Sequence, residues 1–226
     1  MIRGERCIFQ HLDFALNPGE LLLLQGRNGS GKTSLLRAIA GLLALEHGDI
    51  RWNEVPISMQ RQAFHAELVW LTHRSGLKLD LTPAENLRFE ASLRPRSRLD
   101  LATIYERLGL SRLKNLPTRS LSAGQQRRVA LARMLMADVP LWLMDEPFTN
   151  LDSDGRQLVI DLTEEHLAGG GLCVMAAHQD VNGRQYHQQD TGHNPRCEHL
   201  ADGHTGDQGV EDHQDAGRNQ DAPATA

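Results

Sequence analysis

Residues Gly26 to Thr33 read GRNGSGKT, between the apolar run ELLLLQ at 20–25 and KTSLLRAIAGLL at 32–43. The octapeptide fits the pattern G-x-x-x-x-G-K-[ST], which has meaning only where a strand precedes it and a helix follows. Both conditions hold. The first run reads as a buried strand, and the second places Leu35, Leu36, Ile39, Leu42 and Leu43 at helical spacing. Across Gly26, Arg27, Asn28, Gly29, Ser30 and Gly31 the glycines let successive backbone N–H groups turn toward one anion, and the helix N-terminus adds a favourable dipole. Lys32 is then placed to reach the β- and γ-phosphates of a nucleotide, and the Thr33 hydroxyl to ligate Mg²⁺. A glycine-rich turn that binds nothing is the plainer reading, and the full match in this setting outweighs it.

Outward from that loop the elements alternate. AELVWL (66–71), PLWLMD (140–145) and GLCVMAA (171–177) read as further strands. TPAENLRFEASL (82–93) opens a helix on two signals, the Thr82/Glu85 capping box and Pro83 at the first helical position, and helical character continues to about Ala137. Another helix spans about 152–167. The pattern predicts an α/β domain over residues 1–180 with a mainly parallel sheet and an inserted helical subdomain at about 74–138.

Two stretches carry further chemistry. LWLMDEP (141–147) is apolar on both faces, as a central parallel strand is, and ends in Asp145 at the edge where ligands of such sheets bind. A carboxylate pair at a strand end is commonly a turn or a helix cap. Beside a phosphate loop, Asp145 is expected to hold the Mg²⁺ shell and Glu146 to orient or deprotonate an attacking water. LSAGQQRRVALARM (121–134) begins with another capping box, Ser122 and Gln125, yet Gly124 sits in its first turn. Glycine there costs about 0.5–1 kcal/mol relative to alanine, so something must approach that backbone closely.

Composition narrows the class. The chain has 226 residues, 40% of them hydrophobic, and a net charge of −5, which suits a soluble globular protein and makes nucleic acid an unexpected partner. Cys7, Cys173 and Cys197 form no C-x-x-C pair, so neither a zinc site nor a disulfide framework is indicated, and a reducing cytosol fits. No apolar stretch approaches a membrane span, and the first ten residues lack a signal-peptide core. Residues 181–226 have only Val181, Leu200 and Val210 as aliphatic residues and are expected to be a disordered tail.

The phosphate loop, LSAGQ at Leu121 to Gln125, LWLMDEP, FTNLD at Phe148 to Asp152, and His178 stand in the order found in the ATP-binding cassette (ABC) ATPases, which residues 3 to 180 resemble. The resemblance implies a P-loop NTPase fold of the ABC type and ATP with Mg²⁺ as ligands. Ser122, Ala123, Gly124 and Gln125 would face the γ-phosphate of ATP held by a second ATPase subunit. Asp152 would lie at the dimer contact, and His178 would reach the γ-phosphate as a switch histidine.

Within the family the 71–89, 121–134 and 144–152 stretches, with Ala123 where glycine is commoner, resemble ATP-binding subunits of the cytochrome c biogenesis export system, for which haem export has been proposed. That implies peripheral attachment to the cytoplasmic face of a bacterial inner membrane through a separate, CcmB-like permease, docked around Arg74 to Leu81 and the helix that Thr82 begins. Alternatives are a non-transport ABC ATPase or a weakly active structural subunit. Three departures stand out: Arg74 replaces the glutamine that usually touches Mg²⁺, Arg3 the adenine-stacking aromatic, and the polar tail the elements expected after His178.

Overall fold

Near-continuous apolar runs bounded by turns form parallel strands, because such a strand is covered by helices on both faces. The computed structural model describes residues 2–3, 6–7, 9, 12–93, 100–177 and 187–190. β1 (Ile2–Arg3) and β2 (Arg6–Cys7) pair antiparallel. β3 (Leu21–Gln25) leads through the phosphate loop into α1 (Lys32–Ile39). β4 (Arg51–Trp52) and β5 (Val55–Pro56) make a hairpin whose central residues, Asn53 and Glu54, have φ of 50° and 65°. Two positive φ values are what a two-residue hairpin turn needs, and Asn53, a residue that tolerates the left-handed region, is the local signal for it. Then come α2 (Arg61–Ala66), β6 (Leu68–Leu71), α3 (Pro83–Leu93), α4 (Leu101–Arg107), a 3₁₀ turn at Thr118–Ser120, α5 (Ala123–Ala137), β7 (Leu141–Asp145), α6 (Ser153–Ala168), β8 (Leu172–Ala176) and β9 (His187–Asp190).

The main sheet runs β6-β7-β8-β3-β9, with every pairing parallel. Its side chains divide by period 2. Leu21, Leu23, Trp142, Met144, Cys173 and Met175 pack with Leu87, Ile104, Val129, Leu131 and Val159 on one face. Leu22, Leu24, Leu141, Leu143 and Val174 pack with Leu35, Leu36 and Phe64 on the other. Burial on both faces is why these strands read as unbroken apolar runs rather than as alternating ones. Register sets the site: Leu24 and Asp145 both pair with Ala176, so the end of β7 stands level with the last residues before the phosphate loop.

Both predicted capping boxes form. Thr82 N–H donates to Glu85 Oε2 at 2.8 Å and Glu85 N–H to Thr82 Oγ1 at 3.2 Å, and Ser122 and Gln125 make the corresponding pair at the start of α5.

Two expectations need correction. The helix expected over 32–43 stops at Ile39, because Gly41 turns left-handed at φ 68°, and Leu42 is 61% exposed rather than core. Residues 181–226 were expected to carry no regular structure, yet His187–Asp190 extends the sheet beside Leu22–Gln25. Such pairing saturates the N–H and C=O groups along an open strand edge and requires no apolar side chain. The rest of that stretch, like residues 178–180, lies outside the described residues.

Candidate functional site

The loop after β3 turns through Gly29 and Gly31, with φ of 83° and 96°, and Gly31 is the N-cap of α1. These left-handed angles free the loop to present its backbone to a ligand. Lys32, 6% exposed, donates from Nζ to the carbonyl oxygens of Gly26 at 2.7 Å and Arg27 at 3.1 Å. Its ammonium is thus held inside the loop's arc, on the side where phosphates would sit. The next residue, Thr33, donates from Oγ1 to Asp145 Oδ2 at 3.0 Å. A hydroxyl and a buried carboxylate side by side form a hard oxygen pair, the donor chemistry that suits Mg²⁺ shared with phosphate oxygens. Among the described residues, no three His, Cys, Asp or Glu side chains gather as a metal site.

Glu146 follows Asp145 with φ 51°, the left-handed region, where a non-glycine residue costs on the order of 1–3 kcal/mol and persists only if its surroundings enforce it. Here they do. Its N–H donates to Ala176 O at 2.9 Å, and its carbonyl accepts from Arg127 Nη2 at 2.7 Å. The backbone therefore leaves the strand at a set angle.

The start of α5 lies against the segment after Glu146. A Cβ at Gly124 would sit 2.9 Å from the carbonyl oxygen of Asn150, so the group approaching that glycine within this chain is the backbone of the 148–152 segment. Asp152 caps α6, accepting from Gly155 N–H at 2.8 Å, and its Oδ1 lies 3.6 Å from Arg128 Nη2. Arg156 stacks over Phe148 at 5.1 Å. Signature helix and 148–152 segment are thus joined on two contacts, Gly124 against Asn150 and Arg128 against Asp152.

A profile of the family described as ABC transporter matches residues 9–149. The chain belongs to the ABC transporter family. It is 47% identical over 188 residues to the cytochrome c biogenesis ATP-binding export protein CcmA of Methylococcus capsulatus, covering 80% of this chain and 90% of that one. CcmA of Yersinia pestis is 44% identical over 183 residues, covering 80% and 83%, and CcmA of Pasteurella multocida 42% over 184 residues, covering 80% and 86%. These identities place the chain in the CcmA branch. Among solved structures, a putative ABC transporter ATP-binding protein of Pyrococcus furiosus superposes with TM-score 0.66 at 23% identity, over 77% of this chain and 86% of that one, which is likeness of fold.

In this ABC chain the structure brings Lys32, Thr33, Asp145 and Glu146 to one end of the sheet. Ser122 and Gln125 hydrogen-bond each other in the capping box, and Ser122 and Ala123 are exposed at the start of α5. Arg74, which the resemblance sets at the glutamine-loop position, is exposed. Arg3 falls in β1 with its side chain outside the described residues, and the switch-histidine position, His178, also lies outside them.

Sequence reasoning missed Arg127. It is 5% exposed and donates to four main-chain carbonyls, those of Thr72, Asp145, Glu146 and Pro147. Nothing in a run reading QQRR marks which arginine points inward.

Proposed function

We propose that this chain is the ATP-hydrolysing, energy-coupling subunit of an ABC exporter serving c-type cytochrome biogenesis. The observation that carries the hydrolytic part is the meeting of Thr33 with Asp145 at 3.0 Å beside the buried Lys32. Residues from two distant motifs supply the cation, the hydroxyl and the carboxylate that a triphosphate site requires. Lys32 and the N–H groups of residues 26–33 hold the β- and γ-phosphates, and Thr33 and Asp145 hold Mg²⁺, which supplies charge neutralisation on the phosphate oxygens. Glu146 orients a water in line with the bond from γ-phosphorus to the bridging oxygen and takes up its proton, yielding ADP and phosphate. His178 adds a hydrogen bond to the γ-phosphate.

The site is completed by a second copy of the chain. Ser122, Ala123, Gly124 and Gln125 present a helix N-terminus to the γ-phosphate bound by the other subunit, with Asp152 at the contact. Export needs a membrane partner, since no helix of the described residues is long and apolar enough to cross a bilayer. We assign that role to a CcmB-like permease, with the ATPase peripheral on the cytoplasmic face of the inner membrane. Exposed Leu79, Phe89, Leu93 and Leu116 in the helical subdomain supply apolar area for docking.

The test is Mg-ATP turnover by the purified chain and by Glu146→Gln. Loss of one transition-state contact of about 2.7–4 kcal/mol lowers the rate roughly 10²- to 10³-fold, with ATP binding kept. Parental turnover by the variant would remove Glu146 from this role.

A further inference from the structure

Arg127 lies on α5 five residues after the signature serine, and its guanidinium is spread over carbonyls from two other segments. Nη1 donates to Thr72 O at 2.7 Å, Nη2 to Glu146 O at 2.7 Å and to Asp145 O at 3.2 Å, and Nε to Pro147 O at 3.2 Å. None of these four acceptors is a carboxylate. Burial pushes the guanidinium down to about 10, with the charges of Asp145 and Glu146 pulling the other way, so it stays protonated at neutral pH. A charge buried on carbonyls alone contributes weakly to stability by comparison with an apolar side chain of its volume, so its value is geometric. Three of the carbonyls are consecutive. Along an extended strand successive residues face opposite sides, so one side chain cannot collect three carbonyls in a row. They converge here because Glu146 leaves the strand at φ 51°.

We infer that Arg127 is a positioning residue for ATP hydrolysis, locking the backbone of residues 145–147 so that the Glu146 carboxylate is aimed at the attacking water. The inference rests on the role given to Glu146 above. Its fourth bond makes Thr72 part of the same clamp, at the head of the loop that contains Arg74. A second arginine of α5 supports the loop further on: Arg133 donates to Ser75 O at 3.1 Å and pairs with the buried Glu90 at 2.9 Å. The helix whose first turn meets the other subunit's nucleotide is therefore tied to the aim of Glu146 through one side chain. Only a planar, five-donor fork serves four carbonyls; a lysine ammonium keeps the charge but has three donors on one atom.

The experiment compares parental protein, Arg127→Lys, Glu146→Gln and the double variant, measuring kcat, KM for ATP, equilibrium binding of a fluorescent ATP analogue, single-turnover residual rates and melting temperature. A misplacement of about 1 Å costs on the order of 10²-fold in rate, so Arg127→Lys should lose about that in kcat while KM and analogue binding change less than about threefold. In the Glu146→Gln background the same change should add little, because both act through one carboxylate. Parental kcat in Arg127→Lys overturns the inference, and so does an equal fall in nucleotide affinity or full additivity in the double variant. Parental turnover by Glu146→Gln would instead sink the hydrolytic reading itself. If Arg127→Lys does not fold, Arg127→Gln is judged by the same readings.

Discussion

Gly124 shows how one missing methyl group joins two motifs. The helix would gain about 0.5–1 kcal/mol from alanine there, but a Cβ would meet the Asn150 carbonyl at 2.9 Å, a backbone atom that cannot rotate aside. Gly124→Ala is expected to shift the 148–152 segment, forfeit the helix-propensity gain and weaken association of the two subunits in ATP. Melting temperature and ATP-dependent sizing check this together. A more stable variant that still associates in ATP would show that the segment yields freely.

At the scale of an element, α6 is fastened to the sheet by an aromatic stack. The rings of His166 and Trp142 lie 4.1 Å apart and 8° from parallel, and His166 Nε2 sits 3.1 Å from Pro140 O and 3.2 Å from Leu172 O. Burial holds the imidazole below its ordinary 6.5, against the pull of those carbonyls and of Asp138. In the unfolded chain the ring takes a proton near 6.5, while in the folded chain it resists doing so. The unfolded state therefore binds more protons below that pH, and stability falls as pH drops through 6.5 toward the folded value. His166→Phe keeps a flat ring on Trp142 and removes the titration. Its melting temperature should depend less on pH than the parent's between about pH 7.5 and 5.5, and equal slopes would assign the acid sensitivity to other groups.

At the scale of the whole molecule, the shared-site proposal makes hydrolysis depend on a second copy, with Ser122 and Ala123 exposed at the start of α5. Specific activity should rise with protein concentration, and Glu146→Gln should be trapped by Mg-ATP as a dimer. Light scattering of that variant with and without Mg-ATP gives the answer, and a monomer in both would refute the shared site.

What the sequence determined by itself is what neighbouring residues encode. The phosphate loop between strand and helix, the carboxylates closing β7, and the capping boxes at Thr82 and Ser122 all depend on residues within a few positions of one another, where periodicity, backbone freedom and hydrogen-bonding capacity are readable directly. Tertiary structure decided the rest. Thr33 meets Asp145 across 112 residues, and Arg127 reaches back 55 to Thr72 and forward to Glu146. Asn150 faces Gly124, Arg74 is exposed, and four polar residues become β9 against an open strand edge. Each depends on which segments the sheet order makes adjacent. Adjacency is a property of the packed layers, whose burial outweighs local preference, so no window of sequence contains it.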